Sequence, residues 1–206
     1  RTILQRAHLW LREKGDPLAI VSMDRAPAGF HARHSVQRRV YLYRILNRIA
    51  PPVFESDQQW HVDRFLDANL MAVAAKRELE GEKDFGVFAD RRVARAVRRD
   101  GENATVRSND EVRVDRRGDE VHIWFVGRSF LRHSIRNMVG ALQQVGHGAW
   151  SSEDLRLLLA RGFDSRASSR KVLPPTAPAS GLTLWTVEYP EEFASQAAED
   201  SGRPNS

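Results

Sequence analysis

The chain has 206 residues, a formal net charge of +5 and a sequence pI near 10.0. That length suffices for one sizeable core. Cysteine is absent, which excludes disulfides and cysteine-based metal sites, and no apolar run approaches the length of a membrane span.

The positive charge is nearly all arginine, with lysine only at Lys14, Lys76, Lys83 and Lys171. Arginine dominance suits phosphate and RNA recognition, and it also suits an arginine-biased genome. The segment Glu191–Ser206 holds four acids and one arginine, net −3, leaving +8 on residues 1–190. No signal segment is visible, and the chain begins with Arg1 rather than Met, so the native start is expected upstream.

In chain order, Ile3, Leu4, Ala7 and Leu11 give residues 2–13 a helical apolar face, and Gly15 marks its stop. Pro17–Met23 reads as a short strand, followed by a Pro/Gly turn over Asp24–Gly29. Val40–Leu46 is β-branched and aromatic with large residues on both faces, which predicts a central strand. Asn47–His61 reads as a loop interrupted by Pro51-Pro52 and anchored by Val53-Phe54.

Asp63 or Asp67 is a candidate cap for a helix with Leu66, Leu70, Met71, Ala74, Ala75 and Leu79 on its core face, ended by Gly81. Asp84 fits a turn or cap. Arg91, Arg92, Arg95, Arg98 and Arg99 form a basic cluster without aromatics, read equally as an arm on RNA phosphates or as a solvated loop. Thr105-Val106-Arg107 opens a strand. Val112–Asp115 and Val121–Val126 flank Gly118-Asp119 as a hairpin.

The stretch Phe130–Leu142 predicts a helix, with Leu131, Ile135, Met138, Val139 and Leu142 on one face and Ser129 as N-cap. Arg132 and Arg136 would then lie on neighbouring turns. Two arginines beside such a face either snorkel to solvent or point into a cleft to pair with a carboxylate or phosphate. Ser151–Asp154 opens a further helix with Leu155, Leu157, Leu158 and Leu159 on its apolar side. Residues 162–176 are a Ser/Arg-rich connection, and Ala177–Pro190 closes the domain as a strand.

Three ordered motifs and one helix carry a resemblance. Phe30-His31-Ala32-Arg33-x-Ser35 is followed by Tyr41-x-Tyr43. Leu66-Asp67-x-x-x-Met71-x-x-Ala74-Ala75 leads to Gly81-x-x-Asp84-Phe85-x-x-Phe88. Phe130 precedes Arg136-Asn137-x-Val139-Gly140, and Ala177-x-x-x-Gly181-Leu182-x-Leu184-x-x-Val187-x-Tyr189 ends the pattern. Jointly these resemble the tRNA pseudouridine synthase A family over residues 30–190.

The resemblance implies an α+β, pseudouridine-synthase-like fold: a mixed, mainly antiparallel sheet with helices packed on one face. It implies isomerisation of uridine to pseudouridine in the anticodon stem-loop of tRNA, without cofactor or metal, by a protein that is a homodimer when full length and needs no membrane. Tyr41 takes the place of the family's active-site tyrosine, whose ring stacks on the target base and whose hydroxyl can handle the proton at C5. Arg136 takes the place of the arginine paired with the catalytic aspartate. Arg33, Leu182, Arg132 and His31 are carried over as substrate-binding, and Arg38, Arg39, Arg91, Arg92 and Arg95 as contacts to the RNA backbone.

The family's nucleophile sits in an Arg-Thr-Asp-x-Gly-Val-His segment, and no stretch of residues 1–206 matches it. The expectation is therefore a C-terminal portion: residues 1–29 ending a truncated N-terminal half, residues 30–190 the C-terminal domain, and residues 191–206 a disordered acidic tail. Alone it is expected to bind tRNA weakly and isomerise nothing. The alternatives are a non-catalytic RNA-binding protein on the same fold and, far weaker, a metal-dependent hydrolase using His31, His34 and His133. That His-x-x-His lacks helical context and a carboxylate at ligand spacing.

Overall fold

The computed structural model describes residues 2–90, 104–161 and 174–193. The chain divides into two compact units, Arg1–Val36 with Tyr189–Ser206, and Gln37–Glu188.

In the first unit, helix α1 spans Ile3–Lys14. Thr2 and Gln5 close a capping box at its start, and Gly15 ends it at φ 70°, a conformation glycine adopts without steric cost. The strand expected over Pro17–Met23 does not form. Its residues have β-propensity but no partner strand among the described residues, and propensity without pairing does not make a strand. The Ile20 N–H instead donates to His8 Nε2 at 2.9 Å.

The second unit is built on strand β1, Arg38–Asn47. One edge of β1 pairs antiparallel with β6 (Glu120–Gly127) over eight residues. The other edge is shared: β7 (Leu182–Glu188) pairs antiparallel with Arg38–Tyr43, and the short β2 (Trp60–Val62) pairs parallel with Ile45–Asn47. Strand β5 (Glu111–Arg117) completes the sheet beyond β6 through a tight turn at Gly118, φ 60°. Four of the five strands are thus joined antiparallel, and β1 is central, as its large residues on both faces predict. The loop expected over Asn47–His61 holds β2 at its end, and Val53 and Phe54 anchor nothing, both being exposed.

Helices cover one face. Asp67 caps α2 (Ala68–Ala74) by accepting from the Asn69 and Leu70 N–H groups, and a π-turn over Ala75–Leu79 continues it to Gly81. Met71, Ala74, Ala75 and Leu79 are buried, whereas Leu70 faces solvent. A small ladder of β3 (Gly81–Asp84) with β4 (Val106–Asn109) follows, and Asp84 accepts from the Gly86 N–H at 2.8 Å, a turn residue as read. Helix α3 spans Ser134–Gly146, and α4 spans Ser152–Ala160 behind a Ser151–Asp154 capping box. In α4, Leu155 and Leu158 are buried and Leu157 is exposed.

Alternation along the strands selects the core. Tyr43, Ile45, Val112, Val114, Val121, Ile123 and Phe125 point inward to Met71, Leu79, Met138, Leu142 and Leu155 in one continuous cluster. The outward face carries Arg44, which breaks the apolar pattern of β1 because it pairs with Glu55 and, at 3.8 Å, Glu120.

The start of α3 departs from the sequence reading. Residues 130–133 form a turn, and His133, at φ 65°, stands in the N-cap position without a side-chain cap bond. Ser129 is not the cap, and Arg132 precedes the helix, so Arg132 and Arg136 do not occupy successive helical turns. Leu131 and Ile135 are both buried, and that spacing mimics a longer helix.

Candidate active site on the inner face of the sheet

Tyr41 and Tyr43 lie two apart on β1 and so share its inner face. Their surroundings differ. The Tyr43 ring is fully buried and its hydroxyl donates to the Pro178 carbonyl at 2.8 Å. Burial pushes its phenol well above the ordinary tyrosine range, and the nearby positive charge of Arg136 opposes that only in part. The Tyr41 ring is half-buried, edge-on to Phe130 at 5.4 Å between centroids. Its hydroxyl has no hydrogen-bond partner among the described residues.

Across from these tyrosines runs β7. Leu182 is the cross-strand partner of Tyr43 and packs on the core edge; Leu184 is the partner of Tyr41 and is 50% exposed. An exposed leucine beside a half-buried aromatic ring gives the site an apolar floor. Leu184 was absent from the sequence-derived candidates, although its two-residue spacing from Leu182 places both on one face. A bulge at Trp185, where β7 has an extra residue opposite Val40 and Tyr41, resets the alternation beyond that point.

Arg136 is half-buried on the first turn of α3. Its Nε donates to the Ala177 carbonyl at 2.7 Å, and the Ala177 N–H donates back to the Arg136 carbonyl at 3.2 Å. No carboxylate among the described residues pairs with its guanidinium. Asn137 continues the clamp, donating to the Phe88 carbonyl at 2.6 Å and accepting from Thr176 Oγ1 at 2.7 Å. At Gly140 a Cβ would stand 1.8 Å from the Pro175 carbonyl oxygen, so only glycine lets residues 175–177 cross the helix there. The Arg-Asn-x-Val-Gly run is thus a seat for a segment forty residues downstream.

Arg132 is exposed, and its carbonyl accepts from the Asp90 N–H; His133 Nδ1 stands 3.2 Å from the Asp90 carboxylate. Arg38 pairs with Glu188 at 3.6 Å on the rim of the sheet, and Arg39, on the Tyr41 side of β1, donates to the Arg128 carbonyl. Arg91, Arg92 and Arg95 lie outside the described residues.

His31 and Arg33 belong to the other unit. There His31 Nδ1 accepts from the Arg33 and His34 N–H groups at 3.1 and 3.3 Å, its own N–H donates to Ser35 Oγ at 3.0 Å, and its ring lies 4.3 Å from that of His34. With both bonds spent on backbone, Nδ1 organises the turn and is not offered to a metal. Phe30 packs edge-on to Tyr189 at 5.0 Å, and the Tyr189 hydroxyl donates to the Ala32 carbonyl. Arg33 is left exposed on this turn.

The family model described as tRNA pseudouridine synthase matches residues 75–190, which include α3, the strap over it and β7. Proteins named tRNA pseudouridine synthase A are similar over most of the chain. That of Rhodospirillum rubrum is 39% identical over 95% of this chain and 65% of its own length. Those of Azorhizobium caulinodans and Maricaulis maris are each 41% identical, over 89% and 86% of this chain and 66% of their own lengths. The chain therefore spans about two thirds of the length of these curated relatives. Motifs, fold and likeness agree: the chain belongs to the tRNA pseudouridine synthase family.

Proposed function

We propose that this chain carries the tyrosine and arginine side of an active site that isomerises uridine to pseudouridine in the anticodon stem-loop of tRNA. The observation that supports this best is an arginine whose Nε is tied down and whose guanidinium has no carboxylate partner among the described residues, in a unit whose central strand also carries a half-buried tyrosine beside leucines of β7. The ring of Tyr41 offers a π-face to a uracil taken out of its stack, and Leu182 and Leu184 line the same face. Comparable base–aromatic stacking contributes about 1–3 kcal/mol.

In the reaction the bond between the ribose carbon and uracil N1 breaks, the base turns, the same carbon bonds to C5, and the C5 proton leaves while N1 is protonated. In this reading the Tyr41 hydroxyl handles the C5 proton. The Arg136 fork receives a carboxylate, favouring its ionised form against burial. In this reading that carboxylate comes from another segment, and residues 1–206 alone are expected to bind tRNA weakly and turn nothing over. The exposed Arg33, Arg38 and Arg132 and the half-buried Arg39 supply salt-sensitive attraction to the RNA backbone. No chemical step assigned here calls on a cofactor.

Tritium release from tRNA labelled at uridine C5 tests this in the whole native polypeptide. Tyr41→Ala is expected to abolish release and Tyr41→Phe to keep stacking but slow the step by about 10²-fold. Wild-type release that survives in Tyr41→Ala refutes the assignment. Sustained binding of an anticodon stem-loop RNA with no release by the wild type leaves an RNA-binding protein.

A further inference from the structure

Residues 175–181 form a strap over the inner face. Pro174, Pro175 and Pro178 have no N–H, so the segment cannot pair as a strand and is held mainly by its carbonyls. Ala177 is fully buried and exchanges two hydrogen bonds with Arg136. The next carbonyl, of Pro178, is taken by the Tyr43 hydroxyl. Further on, a Cβ at Gly181 would stand 2.7 Å from the Tyr43 ring, so the strap lies directly on that ring.

We infer that Tyr43 is a positioning residue for Arg136: by holding the Pro178 carbonyl it fixes the adjoining Ala177 carbonyl, which receives Arg136 Nε and aims the guanidinium. This rests on the reading above, in which that guanidinium serves the isomerisation. The inference follows from the geometry of a planar fork. With Nε–H bound to a fixed carbonyl, the edge bearing the two Nη atoms is left for a carboxylate in a single orientation. A phenylalanine would fill the same buried space without the cost of desolvating a hydroxyl. The hydroxyl instead touches the strap one residue from the arginine's anchor. Gly140 serves the same end by letting the strap descend onto the helix.

The test is made in the whole native polypeptide with Tyr43→Phe, and with Gly140→Ala as a second variant that displaces the strap from its other side. Two quantities are read: hydrogen exchange of the Arg136 Nε–H in nitrogen-15 spectra, its signal assigned by its loss in Arg136→Lys, and kcat and KM for tritium release. Both variants are expected to speed Nε–H exchange by about tenfold or more and to lower kcat by about ten- to hundredfold with KM within about twofold, since a misaimed group costs rate rather than binding. Ser151→Ala, which loses only the cap of α4, controls for lost stability and leaves exchange and kcat as in the wild type. Unchanged exchange in Tyr43→Phe overturns the inference, as does faster exchange with unchanged kcat or a loss confined to KM. A wild type that releases no tritium refutes the functional reading and the catalytic half of the inference with it, and exchange in Tyr43→Phe then decides the strap by itself.

Discussion

The turn at Phe30–Ser35 and the start of α3 at Arg136–Gly140 are both short, both arginine-bearing and both carry the family pattern, yet they are held in opposite ways. The turn closes on itself: the His31 ring accepts from backbone two and three residues on, and the His31 backbone N–H donates to the Ser35 hydroxyl. From outside it takes the Tyr189 hydroxyl and the Phe30 contacts with Tyr189 and Phe193. The helix start has no side-chain cap, and its Arg136, Asn137 and Gly140 spend their special properties on residues 175–177. The local motif fixes its own backbone with bonds a few residues long, whereas the motif built on distant partners ties its arginine to a carbonyl 41 residues away.

Damage at α3 is therefore expected to propagate, and damage at the turn to stay local. Gly140→Ala has the largest expected effect on stability, about 3 kcal/mol, because its obstacle is a backbone carbonyl rather than a pliable side chain; urea unfolding measures it, and a loss under about 1 kcal/mol would mean the strap yields freely. Asn137→Ala removes the partner of both the Phe88 carbonyl and Thr176 and is expected to cost about 2 kcal/mol by the same measurement.

The alkaline limb sharpens the contrast further. The Tyr43 phenol is raised above its unfolded value of 10.0, so stability is intact below that pH and falls as pH rises through the folded value, where the unfolded chain ionises first. Between about pH 9 and pH 11 the urea midpoint of the wild type is expected to drop more than that of Tyr43→Phe; equal drops would show the phenol is not sequestered. Ser35→Ala has the smallest effect, under about 1 kcal/mol, because its bond to the His31 N–H is exposed and water replaces it.

Sequence carried much of this fold where the signals were local. Alternation in β1 and β6, the Gly118-Asp119 turn, the Asp67 cap and the Ser151–Asp154 box each depend on neighbours within a few residues. Errors fell where spacing was ambiguous. Leu131 and Ile135 extend the helical period into a turn, which puts the expected start of α3 four residues too early, and Pro17–Met23 has the composition of a strand without a partner among the described residues.

The candidate site shows the same limit. Tyr41 and Tyr43 are one residue type on one face of one strand. What separates them, a carbonyl at Pro178, lies 135 positions from Tyr43. Likewise Arg136 was read for the partner it could bind, and its anchor at Ala177 was invisible because alanine has no side-chain chemistry to notice.

The most direct measurement is single-turnover tritium release from uridine-labelled tRNA by the whole native polypeptide, wild type against Arg136→Lys. Lysine keeps the charge and loses both the Nε anchor and the two-pronged fork. Release is expected to slow by about 10²-fold or more with tRNA affinity unchanged. Release at the wild-type rate in Arg136→Lys would contradict it, since any positive charge near the site would then suffice.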